Sequence, residues 1–244
     1  MTNSVRHLGI IMDGNRRWAA RRGLPASLGH RAGAAAARKV VESLRRREIP
    51  FVTLYAFSSD NWRRSSDEVS AIFGVLDGYL DDEIDALVRQ RVRVQVIGRR
   101  DRLPERTRRR IELAEARTAS GGAMLLRLAV DYSSRDAIVA AAHAYAERHA
   151  LGAALDRDGF ARLLGEVTRS PAVPDIDLMI RTSGEQRLSD FCLWECAYAE
   201  LCFSEALWPD FGETALTLAL DAYAARQRRF GGTWVSEHEL GETG

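Results

Sequence analysis

The sequence predicts an α/β fold, a mostly parallel central sheet flanked by helices. Two observations predict it: short strand-like apolar runs alternate with helical stretches, and no repeat, low-complexity tract or domain-length linker interrupts them. His7–Met12 reads as a buried strand and Arg31–Arg47 as a helix with Val40, Val41 and Leu44 inward. Phe51–Ala56 is the next strand. Asp67–Arg89 is a long helix carrying Val69, Ile72, Phe73, Leu76 and Leu80 at three- and four-residue spacing. Val92–Ile97 is a strand, Pro104–Thr118 a helix opened by proline, and Met124–Val130 a strand. Arg135–His149 and Asp158–Val167 read as helices, Ile176–Ile180 and Ala199–Phe203 as late strands, and Thr214–Arg229 as a final helix. Residues 1–232 are read as one domain and 233–244 as a flexible acidic tail.

Composition narrows the function classes. Hydrophobic residues make up 46% and charged residues 28% of the 244, ordinary for a globular chain and wrong for a disordered one. The formal charge is +1, so bulk electrostatics do not point to nucleic acid. Lys39 is the one lysine among 35 basic residues, which leaves the rest as arginine forks suited to phosphate or carboxylate. No apolar run reaches the ~18–20 residues of a membrane span. The N-terminus carries no signal-peptide pattern. Cys192, Cys196 and Cys202 match no zinc spacing and read as buried thiols in a reducing cytosol.

Ligands of open α/β sheets bind beyond the carboxyl ends of strands, and three such ends are crowded with polar residues. After the first strand comes Asp13-Gly14-Asn15-Arg16-Arg17-Trp18, with Gly29-His30 at the start of the next helix. The glycine and asparagine permit a turn whose amides converge on an anion, and Arg16, Arg17 and His30 add donors. Asp13 among these cations would repel a phosphate unless a divalent metal stood between them, which points to Mg²⁺. After the second strand comes Phe57-Ser58-Ser59-Asp60-Asn61-Trp62-Arg63-Arg64. After Ile180 comes Arg181-Thr182-Ser183-Gly184-Glu185-Gln186-Arg187-Leu188-Ser189, a credible second phosphate site. Two phosphate sites, one acid and no P-loop consensus point to a reaction between two phosphorylated molecules.

On these residues the chain resembles the cis-prenyltransferases, the Z-type isoprenyl diphosphate synthases that include the bacterial undecaprenyl diphosphate synthases. The motifs are His7-x4-Met12-Asp-Gly-Asn15-x-Arg-Trp18 with Gly29-His30, and Arg181-Thr-Ser-Gly-Glu-x-Arg187-x-Ser189 through Trp194, Ala197-Tyr198 and Glu200. The resemblance runs from about His7 to Gly232. It implies Mg²⁺-dependent condensation of isopentenyl diphosphate with an allylic diphosphate, by a cytoplasmic homodimer that touches membrane peripherally if its product is long. By the same resemblance Asp13 handles metal and allylic diphosphate, while Gly14, Asn15, Arg16, Arg17 and His30 cradle that diphosphate. Asn61 and Arg64 lie at the reacting centre, with Asn61 a candidate for assisting proton removal; Trp18, Phe57, Ser58 and Trp62 wall it. Arg181, Arg187 and Ser189 form the isopentenyl diphosphate site, Glu200 is a second metal-associated carboxylate, and Arg229-Phe230-Gly231 reaches the partner subunit.

Several positions depart from the family pattern. Ala26 stands where an arginine is usual, Asp131-Tyr-Ser133-Ser134-Arg135 where Asn-Tyr-Gly-Gly-Arg is usual, and Asp190 and Glu195 where Asn and Gln are usual. Arg127 and Asp131 share a strand face and are candidates for mutual compensation. The departures predict a specialised member with a shorter product or a head-to-middle coupling of dimethylallyl units; a non-catalytic partner subunit is the competing class. Phe73, Tyr79 and Met124 are candidates to plug the product tunnel. Asp81-Asp82-Glu83-Ile84-Asp85, a literal DDxxD, reads as a solvated helix face. Arg45–Arg47 and Arg106–Arg110 read as exposed faces, and Phe191, Trp194 and Tyr198, at helical spacing, as core.

Overall fold

Six strands form one sheet in the order β3-β4-β2-β1-β5-β6, every pair parallel, in a computed structural model that describes residues 4–148, 154–171 and 173–226. The strands are β1 (His7–Ile11), β2 (Phe51–Ser58), β3 (Val92–Ile97), β4 (Met124–Tyr132), β5 (Leu178–Arg181) and β6 (Glu200–Phe203). The helices are α1 (Asn15–Ala20), α2 (Ala26–Arg46), α3 (Ser66–Arg89), α4 (Glu105–Thr118), α5 (Ser134–Arg148), α6 (Arg157–Thr168) and α7 (Glu213–Ala224). β1 and β5 are buried along their whole length, as parallel strands covered on both faces must be. Leu8, Ile10, Val52 and Leu54 pack with α2 and α3 on one face, while Ile11, Tyr55, Met179 and Phe191 cluster on the other.

The topology places the site. The connection leaving β1 runs toward β2, and the connection leaving β5 runs toward β6, in the opposite direction. Adjacent parallel strands whose exits diverge open a crevice at their carboxyl ends. Asp13 follows β1 and Thr182 follows β5, so the first and third polar clusters meet at that crevice.

Several sequence expectations shift. α2 begins at Ala26 rather than Arg31, so His30 lies on its second turn rather than at its start. α1 is six residues long, too short for apolar periodicity to show in the sequence. Residues 191–198 form turns, and of the aromatics expected in the core Phe191 is buried but Tyr198 is 63% exposed. Of the DDxxD stretch, Asp81 and Asp85 hold Arg110 and Arg117 of α4, and the buried Glu83 holds Arg38 of α2. Asp81, Asp82 and Asp85 are exposed, as a solvated helix face requires, and two of them also tie α3 to α4. Arg46 and Arg47 pair with Glu213, and Arg108 and Arg109 with Glu105. All three cysteines are free thiols, Cys192 and Cys196 buried and Cys202 half-buried. No helix among the described residues is long and apolar enough to cross a membrane. The Arg229-Phe230-Gly231 motif, His149 and the 233–244 tail lie outside the described residues.

Candidate active site

The turn after β1 is shaped by Gly14, whose φ of 109° favours glycine; a Cβ there would lie 3.0 Å from the Ser183 Cβ and the Leu207 side chain. Gly14 lets the chain enter α1 against the turn after β5. Asn15 then packs on α2, where a Cβ on Gly33 would fall 2.3 Å from Asn15 Oδ1.

Asp13 is fixed from the β5 side. The Arg181 guanidinium donates to Asp13 Oδ2 at 2.9 Å, to Ser189 Oγ at 2.7 Å and to the Arg187 carbonyl at 2.6 Å. Thr182 Oγ1 accepts the Asp13 N–H at 2.9 Å and donates to the Asp13 carbonyl at 2.6 Å. Arg17 donates to the Ser183 carbonyl at 3.0 Å and stands 3.8 Å from Asp13 Oδ1. Arg181 is thus a clamp between the two turns, 4% exposed and not open to substrate. Arg187 is 60% exposed, paired with Glu185. Ser183, Gly184, Ser189, Asp190 and Cys192 all have positive φ, a concentration of backbone strain typical of functional loops.

A polar cavity of about 460 Å³ opens above this crevice, lined by Asp13, Asn15, Arg16, Arg17, His30 and Arg64 among others. The sequence-chosen cations therefore converge. Glu68, which sequence reasoning missed, organises them: Arg64 donates to it at 2.8 Å, His30 Nε2 lies at 3.5 Å and Arg16 at 3.6 Å. Arg64 is extended backbone just ahead of Ser65, the N-cap of α3, while Glu68 lies in the first turn of α3, so no helical spacing announced the pair. Burial lowers the His30 pKa below the usual 6.5, against the pull of Glu68, so the ring is neutral at pH 7. Its contact with Glu68 is too long for a good hydrogen bond.

The second cluster forms a 3₁₀ turn, Ser59–Arg63. The Ser58 N–H donates to Asn61 Oδ1 at 3.1 Å and the Asp60 N–H to Ser58 Oγ at 3.1 Å, a capping box. Asn61 therefore spends its carbonyl oxygen on the backbone and has its amide N–H groups left to offer. Trp62 sits on Phe57 and Phe73 at centroid distances of 5.3 and 5.4 Å. Phe57 is 1% exposed, sealed beneath Trp62. Trp18 turns away from the cavity, donating to Asp210 at 2.7 Å under the Arg22 guanidinium.

An apolar chamber of about 100 Å³ adjoins the polar cavity, sharing Met12, Asn15 and His30 with it. Facing stripes of α2 (His30, Gly33, Ala34, Ala37) and α3 (Ile72, Val75, Leu76, Tyr79) wall it. Tyr79 lines the chamber, whereas Phe73 belongs to the Trp62 pile and Met124 to the opposite end of β4.

Three departures find partners, though not those expected. Arg127 bonds Glu195 at 3.3 Å rather than Asp131. Asp131 binds Arg102, and Asp190 accepts from Ser133 and from the Arg135 N–H. Glu200 pairs in register with Leu178 and ion-pairs with Arg226 at 2.5 Å. At about 3.3 Å per residue it lies some 10 Å down the strands from Asp13's end of the sheet, and the chain does not bring the two carboxylates together.

Asp13 suits a hard divalent cation: Oδ2 is committed to Arg181, but Oδ1 faces the cavity with Arg17 standing off. The described residues hold no group of three or more metal-ligating side chains. One carboxylate plus substrate phosphate oxygens is the donor set that Mg²⁺ accepts.

Comparison with known proteins agrees with this geometry. Residues 11–231 match the family described as "Putative undecaprenyl diphosphate synthase". The chain is 53% identical over 226 residues to Isoprenyl transferase 1 of Bradyrhizobium diazoefficiens, covering 93% of this chain and 89% of that one. It is 43% identical over 226 residues to an isoprenyl transferase of Caulobacter vibrioides, covering 93% and 87%. The fold superposes on lavandulyl diphosphate synthase from Lavandula x intermedia, crystallised with dimethylallyl diphosphate, with a TM-score of 0.88 and 34% identity over 93% of this chain and 98% of that one. This chain therefore belongs to the undecaprenyl diphosphate synthase family and is a prenyltransferase of the cis type.

Proposed function

We propose that the protein condenses isopentenyl diphosphate head-to-tail onto an allylic diphosphate, with Mg²⁺, as a cytoplasmic homodimer. The observation that carries this reading is the adjacency of a cationic cavity and an apolar chamber sharing Met12, Asn15 and His30, one for a diphosphate and one for its prenyl tail. Arg16, Arg17, His30 and Arg64 bind the allylic diphosphate, and Asp13 Oδ1 holds the cation. Bound Mg²⁺ would neutralise charge on the departing diphosphate. The exposed Arg187 and the Ser189 hydroxyl receive isopentenyl diphosphate beside it, with Arg229 and Gly231 of a second copy. Tyr198, 63% exposed just ahead of the edge strand β6, supports pairing with that copy.

In the reaction the allylic C1–O bond breaks and its electrons leave with diphosphate. The double bond of isopentenyl diphosphate attacks C1, and a proton is lost. Asn61, with its oxygen held by Ser58, orients through its N–H groups, so the departing diphosphate takes the proton in this reading.

Tyr79 sets a short product. Together with Ala34 and Val75 it lines both the chamber and a groove of about 430 Å³ between α2 and α3, so these side chains separate the two. At about 100 Å³ the chamber is smaller than the ~150 Å³ cavity that admits benzene, room for roughly one five-carbon unit beyond the headgroup. The test is mass spectrometry of products from isopentenyl diphosphate with dimethylallyl, geranyl and farnesyl diphosphates, with and without Mg²⁺. Mg²⁺-dependent short Z-prenyl diphosphates are expected. A C55 product overturns the length assignment, a branched product the head-to-tail coupling, and no product the catalytic reading itself.

A further inference from the structure

Asp131 closes β4 with a left-handed backbone, φ 50°, and its side chain is fully buried. A buried carboxylate must be neutralised and hydrogen-bonded, and this one is. Arg102 donates to it through Nε at 2.9 Å and Nη2 at 2.5 Å, the Trp62 indole N–H at 2.9 Å and Ser59 Oγ at 3.2 Å. Its backbone carbonyl accepts the Arg99 N–H at 3.2 Å. The Arg102 guanidinium also lies 5.5 Å from the centre of the Trp62 ring. Three chain segments, leaving β2, β3 and β4, are tied to one residue.

Two of the four side-chain donors come from the Ser59–Arg63 turn, and they flank Asn61 on both sides. A five-residue 3₁₀ turn is weak by itself and takes its position from such anchors. We propose that Asp131, held by Arg102, is a positioning residue that acts through Ser59 and Trp62 to fix Asn61 at the reacting centre. The donor pattern demands aspartate here: Ser59, Trp62 and Arg102 all donate, and an asparagine would turn its own N–H2 against one of them. The contact that depends on the second carboxylate oxygen is that of Arg102 Nε to Oδ2, since Ser59, Trp62 and Arg102 Nη2 all donate to Oδ1. The inference rests on the role given to Asn61 above.

The experiment is a double-mutant cycle in the full-length protein, read as kcat and as KM for each substrate, with thermal melting as the folding control. Asp131→Asn should lower kcat about tenfold or more with little change in the KM of the allylic diphosphate. In an Asn61→Ala background the same substitution should change kcat less than twofold, because the residue it positions is gone. Equal losses in both backgrounds, or an unchanged kcat in a folded Asp131→Asn protein, overturn the proposal. Should Asp131→Asn fail to fold, Arg102→Gln, at a side chain 38% exposed, replaces it in the same cycle with the same outcomes. An Asn61→Ala variant with wild-type kcat would remove the role of Asn61, and an inactive wild type the condensation reading; both are distinct from an additive cycle.

Discussion

Arg181 reaches from the end of β5 to Asp13 at the end of β1, Nη2 to Oδ2 at 2.9 Å, and joins the two strands whose connections diverge. The guanidinium is 4% exposed and the carboxylate 32%, so the pair is shielded on one side and open to the cavity on the other. One oxygen is held by Arg181, and the other has Arg17 standing 3.8 Å away.

That division separates two substitutions. Asp13→Asn keeps an oxygen for Arg181 and should fold normally while losing at least about a hundredfold in kcat, the scale of one transition-state electrostatic contact. Asp13→Ala also strands a buried guanidinium and should cost about 2–3 kcal/mol of stability, less than the full penalty of a wholly buried pair. Urea unfolding and steady-state kinetics check both; an Asp13→Asn enzyme of near wild-type kcat contradicts the assigned role.

Glu68 should affect binding more than chemistry. It holds Arg64, His30 and Arg16 and has no seat among the reacting atoms. Glu68→Gln should raise the KM of the allylic diphosphate about tenfold with kcat within threefold. A fall in kcat alone would place Glu68 in the chemistry instead.

Tyr79→Ala should merge the chamber with the groove between α2 and α3 and lengthen the product by at least one five-carbon unit. Tyr79→Phe, which keeps the ring, should leave the product unchanged. Identical product ladders for wild type and Tyr79→Ala would show that another residue stops the chain. Arg31, Arg38 and Asp82 line the groove, so the extension should remain short.

His7 makes the fold acid-sensitive. Its Nδ1–H donates to the Pro174 carbonyl at 2.7 Å, so Nε2 accepts from Thr53 Oγ1 at 2.8 Å and the ring is neutral. Burial, with Arg127 nearby, lowers its pKa from 6.5 to about 3. The unfolded chain therefore takes the proton first as pH falls. Stability is whole above about pH 6.5 and drops by about 1.4 kcal/mol per pH unit toward pH 3. His7→Gln should flatten that slope in urea unfolding between pH 4 and 6.5; an unchanged slope would assign the acid sensitivity elsewhere.

Much of this was legible in the sequence because it is local. The apolar runs of β1, β2, β3 and β4 and the periodicity of α3 reflect period-2 or continuous burial and a 3.6-residue stripe, which neighbouring residues record. Asp13, Arg16, Arg17, Arg64 and His30 stood out as polar residues beyond strand ends, and the structure gathers them in one cavity. α1 leaves no periodic trace because a six-residue helix has no repeat to read, and the helical spacing of Phe191, Trp194 and Tyr198 is coincidence in a run of turns that leaves Tyr198 exposed.

Sequence alone determined the class of fold, the family and the chemical types assembled at each strand end. Tertiary structure alone decided the pairings. Asp131 took Arg102 rather than Arg127, Glu200 fell at the far end of the sheet from Asp13, Arg181 became a clamp rather than a free ligand, and Tyr79 rather than Phe73 or Met124 reached the chamber. The reason is physical. Burial and periodicity are written along the chain, whereas the partner of a charge 29 or 168 residues away depends on strand order and register, which no single segment encodes.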